Sequence, residues 1–182
     1  MKNLLTEENT GIIIIDIQEK LMPAMNRGKF TINSISNLIK LAELYNMPVI
    51  LTEHYPKGLG KTLPEIRELL KVYDPIEKTH FNCCAVDEFN ERLESYKLKN
   101  IILTGVESHI CVYQTCFSLM QKGYNVQLPR DSVDSRTDEN MNVGFELMRE
   151  QGALVTSSEA IIYQILRKAA TPEFKKMLKA VK

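Results

Sequence analysis

The run Gly11-Ile-Ile-Ile-Ile-Asp16 constrains this chain more than any other stretch. Four consecutive isoleucines offer water no polar face on either side of a strand. Such a run suits a strand covered on both faces, as in a parallel sheet with helices above and below. The charge at its end marks where the strand leaves the covered interior.

The rest of the chain repeats the theme. Met47–Thr52 reads as a second strand, with Pro48 at its entry, and Val72–Lys78 as a third, weaker one. Asn100–Gly105 is a strong buried strand, Tyr124–Leu128 alternates, and Ala153–Thr156 is short. Between them lie helical patterns. Thr31–Asn46 places Ile32, Ile35, Leu38, Ile39, Ala42 and Tyr45 at helical spacing. Val86–Lys97 follows, then His109–Lys122 stopping at Gly123, and Thr137–Gln151 stopping at Gly152. Thr62 with Glu65, and Thr156 with Glu159, have capping-box spacing, the second opening Ser158–Lys168. Thr171 caps a last helix that has Pro172 at its first position. Tyr55–Lys61, with a proline and two glycines, reads as a loop. Strand and helix alternating six times predict an open α/β sheet with helices on both faces, in one domain spanning residues 1–182.

Composition excludes several classes. The chain is 44% hydrophobic and 25% charged, so it is not disordered. Its 23 basic and 23 acidic residues cancel, so no basic excess recruits nucleic acid. No apolar run approaches the ~18–20 residues of a membrane span. Met1–Asn9 lacks the apolar core of a secretion signal, so the cytoplasm and reduced thiols are expected for the four cysteines.

In open parallel sheets ligands bind beyond the carboxyl ends of the strands. The reactive residues there are Asp16, Lys78 and, within six residues of Gly105, Cys111. If the three strands are parallel, these groups converge on one edge. Cys111 lies at the start of a helix, where free N–H groups lower a thiol pKa. Cys116 falls on the apolar face with Val112 and Leu119 and reads as core, and Cys83 and Cys84 read as packing. His54, His80 and His109 form no HxH or HxxxH pair, so no metal is expected. GxGxxG, GxxxxGK[ST] and GxSxG are all absent, so no nucleotide cofactor and no serine hydrolase elbow are expected.

Three ordered segments carry a resemblance. Ile-Ile-Ile-Ile-Asp16-Ile-Gln, Glu-Lys78-Thr-His-Phe81 and Thr-Gly105-Val-Glu-Ser-His-Ile-Cys111-Val resemble the signatures of the isochorismatase-like cysteine hydrolase superfamily. Ser132–Arg136, Gly152–Glu159 and the stretch from Glu53 to Gly60 are similar to its short isochorismatase domain-containing branch. The resemblance implies a Rossmann-like three-layer α/β/α sandwich around a six-stranded parallel sheet, in a homo-oligomer of two, four or more chains. It implies a catalytic triad of Asp16, Lys78 and Cys111. It also implies a non-proline cis peptide at Val106–Glu107 that helps shape an oxyanion hole from Val106, Glu107 and Cys111. The expected reaction is hydrolysis of a small amide or carbamoyl compound. Cys111 argues against the vinyl-ether hydrolysis of true isochorismatases, which lack it. A single His in residues 52–60 argues against the metal site of nicotinamidases. Phe81, Glu107, His54 and Tyr113 are candidates for the substrate pocket. Two rival readings stay open: a binding or scaffold protein without turnover, and a peroxide sensor with a low-pKa Cys111 resolved by Cys116 or another thiol.

Overall fold

In a computed structural model, which describes residues 4–181, seven strands form one parallel sheet between two layers of helices. The strands are β1 (Thr10–Ile15), β2 (Val49–His54), β3 (Ile76–Lys78), β4 (Asn100–Val106), β5 (Asn125–Pro129), β6 (Val133–Asp134) and β7 (Leu154–Thr156). The main helices are α1 (Gly28–Tyr45), α4 (Asp87–Ser95), α5 (Tyr113–Gln121), α6 (Asp138–Glu150), α7 (Ser158–Leu166) and α8 (Pro172–Val181). Single turns α2 (Pro56–Leu59) and α3 (Pro64–Arg67) lie between β2 and β3. The first three residues of the stretch read for a secretion signal lie outside the described residues. Among the described residues no helix is long and apolar enough to cross a membrane.

The strand order is β3-β2-β1-β4-β5-β7, with β6 beside β4. Pairing of β1 with both β2 and β4 explains the isoleucine run: Ile12 to Ile15 are all at most 1% exposed. Ile12 and Ile14 face one core with Leu38, Leu41, Leu51 and Ile161 from α1, β2 and α7. Ile13 and Ile15 face the other with Ile50, Phe89, Leu119 and Phe145 from β2, α4, α5 and α6. Each buried side chain of this size stabilises by ~1.5–3 kcal/mol, so two faces of such residues hold three layers together.

The predicted architecture stands, with one strand more than the six expected. β6 was missed because it is two residues long and takes only the second half of an edge. β5 pairs with β4 at Asn100–Ile102, and β6 pairs with it at Gly105–Val106. The third strand is shorter than the sequence predicts, since Val72 is 75% exposed and only Ile76–Lys78 reach β2. The loop expected over Tyr55–Lys61 contains the helical turn α2. Both capping boxes are corrected as well. Thr62 donates inward to Glu53 instead of capping α3, and α7 is capped by Ser157 rather than Thr156. Thr171 does cap α8, accepting from Phe174 N–H.

The chain adds β2 and β3 on one side of β1, then crosses to place β4 on the other. The order therefore switches between β1 and β4, and the carboxyl ends of these strands flank the natural crevice of the sheet.

Candidate active site

Asp16 and Lys78 meet at that crevice. Lys78 Nζ lies 2.6 Å from Asp16 Oδ2, and both side chains are fully buried. Asp16 Oδ1 accepts from Thr52 Oγ1 at 2.7 Å. Strand alternation puts Thr52 on the face of Ile50, and Lys78 on the face of Ile76. Asp16 would alternate away from Ile15 to the opposite face. Its left-handed backbone, φ 55°, breaks the alternation and lets its carboxylate join them. An aspartate tolerates this region better than most side chains.

Cys111 comes from the next strand over. After β4, residues Ser108–Val112 form a π-helical turn that runs into α5. This widened turn carries the buried Cys111 thiol against the pair. Burial pushes the thiol well above its ordinary value. The Asp16 carboxylate, by charge and by a hydrogen bond with the thiol, pushes it further; Lys78 pulls it down without reversing the sum. The resting sulfur is thus a neutral thiol beside a carboxylate. The low-pKa Cys111 that the peroxide-sensor reading needs is not what this site provides, because burial outweighs the ammonium and the turn. Burial alone would lower Lys78, but Asp16, with Cys83 and Cys111, holds its ammonium above the usual lysine value.

The segment between β4 and Cys111 is tightly built. Gly105 has φ 114°, and a Cβ there would sit 2.1 Å from the Ile15 carbonyl oxygen. Only glycine lets β4 close on β1 at this point. The Val106–Glu107 peptide is cis. The Glu107 carbonyl accepts from Ile110 and Val112, on either side of Cys111. Ser108 is anchored by its N–H to Ser135 Oγ at 3.0 Å, and its hydroxyl reaches the Met141 carbonyl at 3.2 Å. Gly144 of α6 makes this approach possible, since a Cβ there would lie 2.6 Å from the Ser108 carbonyl carbon.

His54 is the register partner of Lys78, so its ring is on the same face, one pleat beyond Thr52. It stacks on Phe81 at 5.3 Å between centroids and 21° between planes. Burial, then the Lys78 charge, lowers its pKa below the ordinary histidine value. Phe81 is half exposed and so stands at the rim. Tyr113, the first residue of α5, packs against the core on this side of the sheet. Cys116 is core, as its spacing suggested.

Two members of the site were missed. Thr52 was legible in principle, because alternation from Ile50 places it on the face of Lys78. Cys83 was read as packing, yet burial pushes it up to about 12 while Lys78 and Asp16 both act on it. Its backbone N–H donates to Thr115 Oγ1, one helical turn beyond Cys111. Nothing in the local sequence marks it. All four cysteines are free thiols.

With this geometry in view, comparison with known proteins is informative. The model of the isochorismatase domain matches residues 10–160. The isochorismatase domain-containing protein 2 of Xenopus laevis is 34% identical over 97% of this chain and 85% of its own length. The secreted isochorismatase effector Isc1 of Phytophthora sojae is 33% identical over 98% of this chain and 87% of its own length. Among solved structures, one described as the MAR1 ribonuclease of Caenorhabditis elegans superposes with a TM-score of 0.92. It is 34% identical, over 98% of this chain and 92% of that one.

Proposed function

Because the chain belongs to the isochorismatase family, a family of hydrolases, we propose that it is a cysteine hydrolase cleaving a C–N bond of a small amide or carbamoyl compound. The observation that carries this reading is a thiol buried against an ion pair drawn from two other strands.

Asp16 takes the Cys111 proton as the sulfur attacks the carbonyl carbon, so no free thiolate has to persist. Lys78 donates to Asp16 and balances charge as the proton moves. The tetrahedral oxyanion is held by backbone donors of the Val106–Glu107 and Cys111 segment. Collapse breaks the C–N bond, and Asp16 returns its proton to the leaving amine. The thioester is then hydrolysed by a water that Asp16 deprotonates, which releases the acid and restores the thiol. Phe81 and His54 form the rim the substrate passes, and Tyr113 is a further candidate for the pocket.

The protein acts on a small molecule, as a homo-oligomer, in a compartment that keeps its four thiols reduced; the cytoplasm fits. The relative described as a ribonuclease suggests phosphodiester cleavage as a second reading. The balanced charge and the buried thiol favour the acyl reading. The test is a panel of small amides with intact-mass detection of the protein. A mass increase equal to the acyl group, absent in Cys111→Ala, is expected. Turnover of a verified amide by Cys111→Ala would refute the mechanism. Cleavage of RNA by the wild type and by Cys111→Ala alike would favour the second reading.

A further inference from the structure

We infer that Arg136 binds a carboxylate carried by the substrate, so that the amide cleaved is an acidic one; this rests on the acyl-enzyme reading above. Arg136 follows β6 at the carboxyl edge of the sheet. Its backbone N–H donates to Glu107 Oε2 at 3.0 Å, and its Nε donates to both Glu107 oxygens at 3.1 Å. Both ends of the residue are therefore fixed on one buried carboxylate. Neither Nη group donates to an acceptor among the described residues, and the side chain is 57% exposed. Arg92, in contrast, spends its Nη groups on Asp74 and Glu88, and Arg130 donates to Asn142 and lies over Phe145. A planar fork that is held in place with two free donors suits a carboxylate. Because it is already ordered, binding costs it little side-chain entropy.

The anchor joins this fork to the segment that leads from β4 to Cys111. Glu107 follows the cis bond, and its carbonyl receives the N–H groups on either side of Cys111. An anion on Arg136 is thus tied to the residue assigned to the oxyanion.

The test is calorimetric titration of succinamate and of uncharged butyramide into wild type, Cys111→Ala, Arg136→Gln and Arg136→Lys. Succinamate should bind wild type and Cys111→Ala at least tenfold more tightly than butyramide. Arg136→Gln should erase that preference; Arg136→Lys should reduce it. Equal binding of the two ligands by wild type, or an undiminished preference in Arg136→Gln, would overturn the inference. If Arg136→Gln binds neither ligand because Glu107 is left unpaired, Arg136→Lys decides, and an undiminished preference there overturns it. Intact mass on wild type reads the acyl-enzyme separately: succinamate bound without an adduct counts against the chemistry and leaves Arg136 as the anion site. A single-stranded RNA held through Arg136, with succinamate not bound, would overturn the carboxylate assignment.

Discussion

Removing either partner of the Asp16–Lys78 pair should destabilise the fold strongly, and the two losses should depend on pH in opposite directions. The pair is 2.6 Å apart with neither side chain exposed. Breaking a buried pair leaves one uncompensated charge and costs about 3–5 kcal/mol. Neutralisation caps that cost. In Asp16→Asn, Lys78 escapes by losing its proton, which from an ordinary value of about 10.4 costs about 4.6 kcal/mol at pH 7 and about 1.9 kcal/mol at pH 9. In Lys78→Met, Asp16 escapes by gaining one, which from about 3.9 costs about 4.2 kcal/mol at pH 7 and about 1.5 kcal/mol at pH 5. The Asp16→Asn penalty should therefore shrink as pH rises, and the Lys78→Met penalty should shrink as pH falls. The double variant buries no charge and should recover most of the loss at every pH while remaining inactive. Urea denaturation at pH 5, 7 and 9 reads all three. Single variants within about 1 kcal/mol of wild type at pH 7, where an exposed pair would lie, would refute the reasoning.

Since burial and Asp16 raise the Cys111 thiol, iodoacetamide should modify it at pH 7.5 more slowly than free cysteine; Lys78→Met should slow it further, as read by peptide mass spectrometry. Gly144→Ala drives a Cβ into the backbone at Ser108, so amide turnover should fall at least tenfold while the far-UV spectrum is kept; unchanged turnover would mean the π-helical turn need not be held by α6. His54 has a lowered pKa in the fold, so its stability contribution is full above the unfolded value of about 6.5 and is lost as pH falls through the folded value. His54→Gln should flatten that acid-side slope in thermal melts between pH 7 and 5, and an unchanged slope would assign it to other groups.

The fold was legible because burial on both sides leaves a continuous apolar signal. The isoleucine run named the central strand, and the helical spacing of Ile35, Leu38, Ile39 and Ala42 named α1, whose buried stripe matches it. Short elements were not legible: β6 has too few residues to show a period, and only the bend of β5 away from β4 creates a place for it. Strand ends pointed to Asp16, Lys78 and Cys111, and those three residues do meet. How they meet was hidden. Alternation alone would turn Asp16 away from Lys78, and only its left-handed backbone brings it back. The thiol's surroundings were also misjudged. A helix start and a lysine suggested a lowered pKa, but desolvation dominates once the sulfur lies beneath the π-helical turn. Arg136 was quoted in the resembling segment without a role, because its hold on Glu107 joins positions 29 residues apart.

The central claim is covalent chemistry at one sulfur, and it is tested most directly by quenched-flow intact-mass spectrometry during turnover of an amide substrate. A transient adduct that maps to Cys111, and forms and decays at rates consistent with turnover, is the predicted result. Turnover without any adduct on Cys111, persisting in Cys111→Ala, would contradict it.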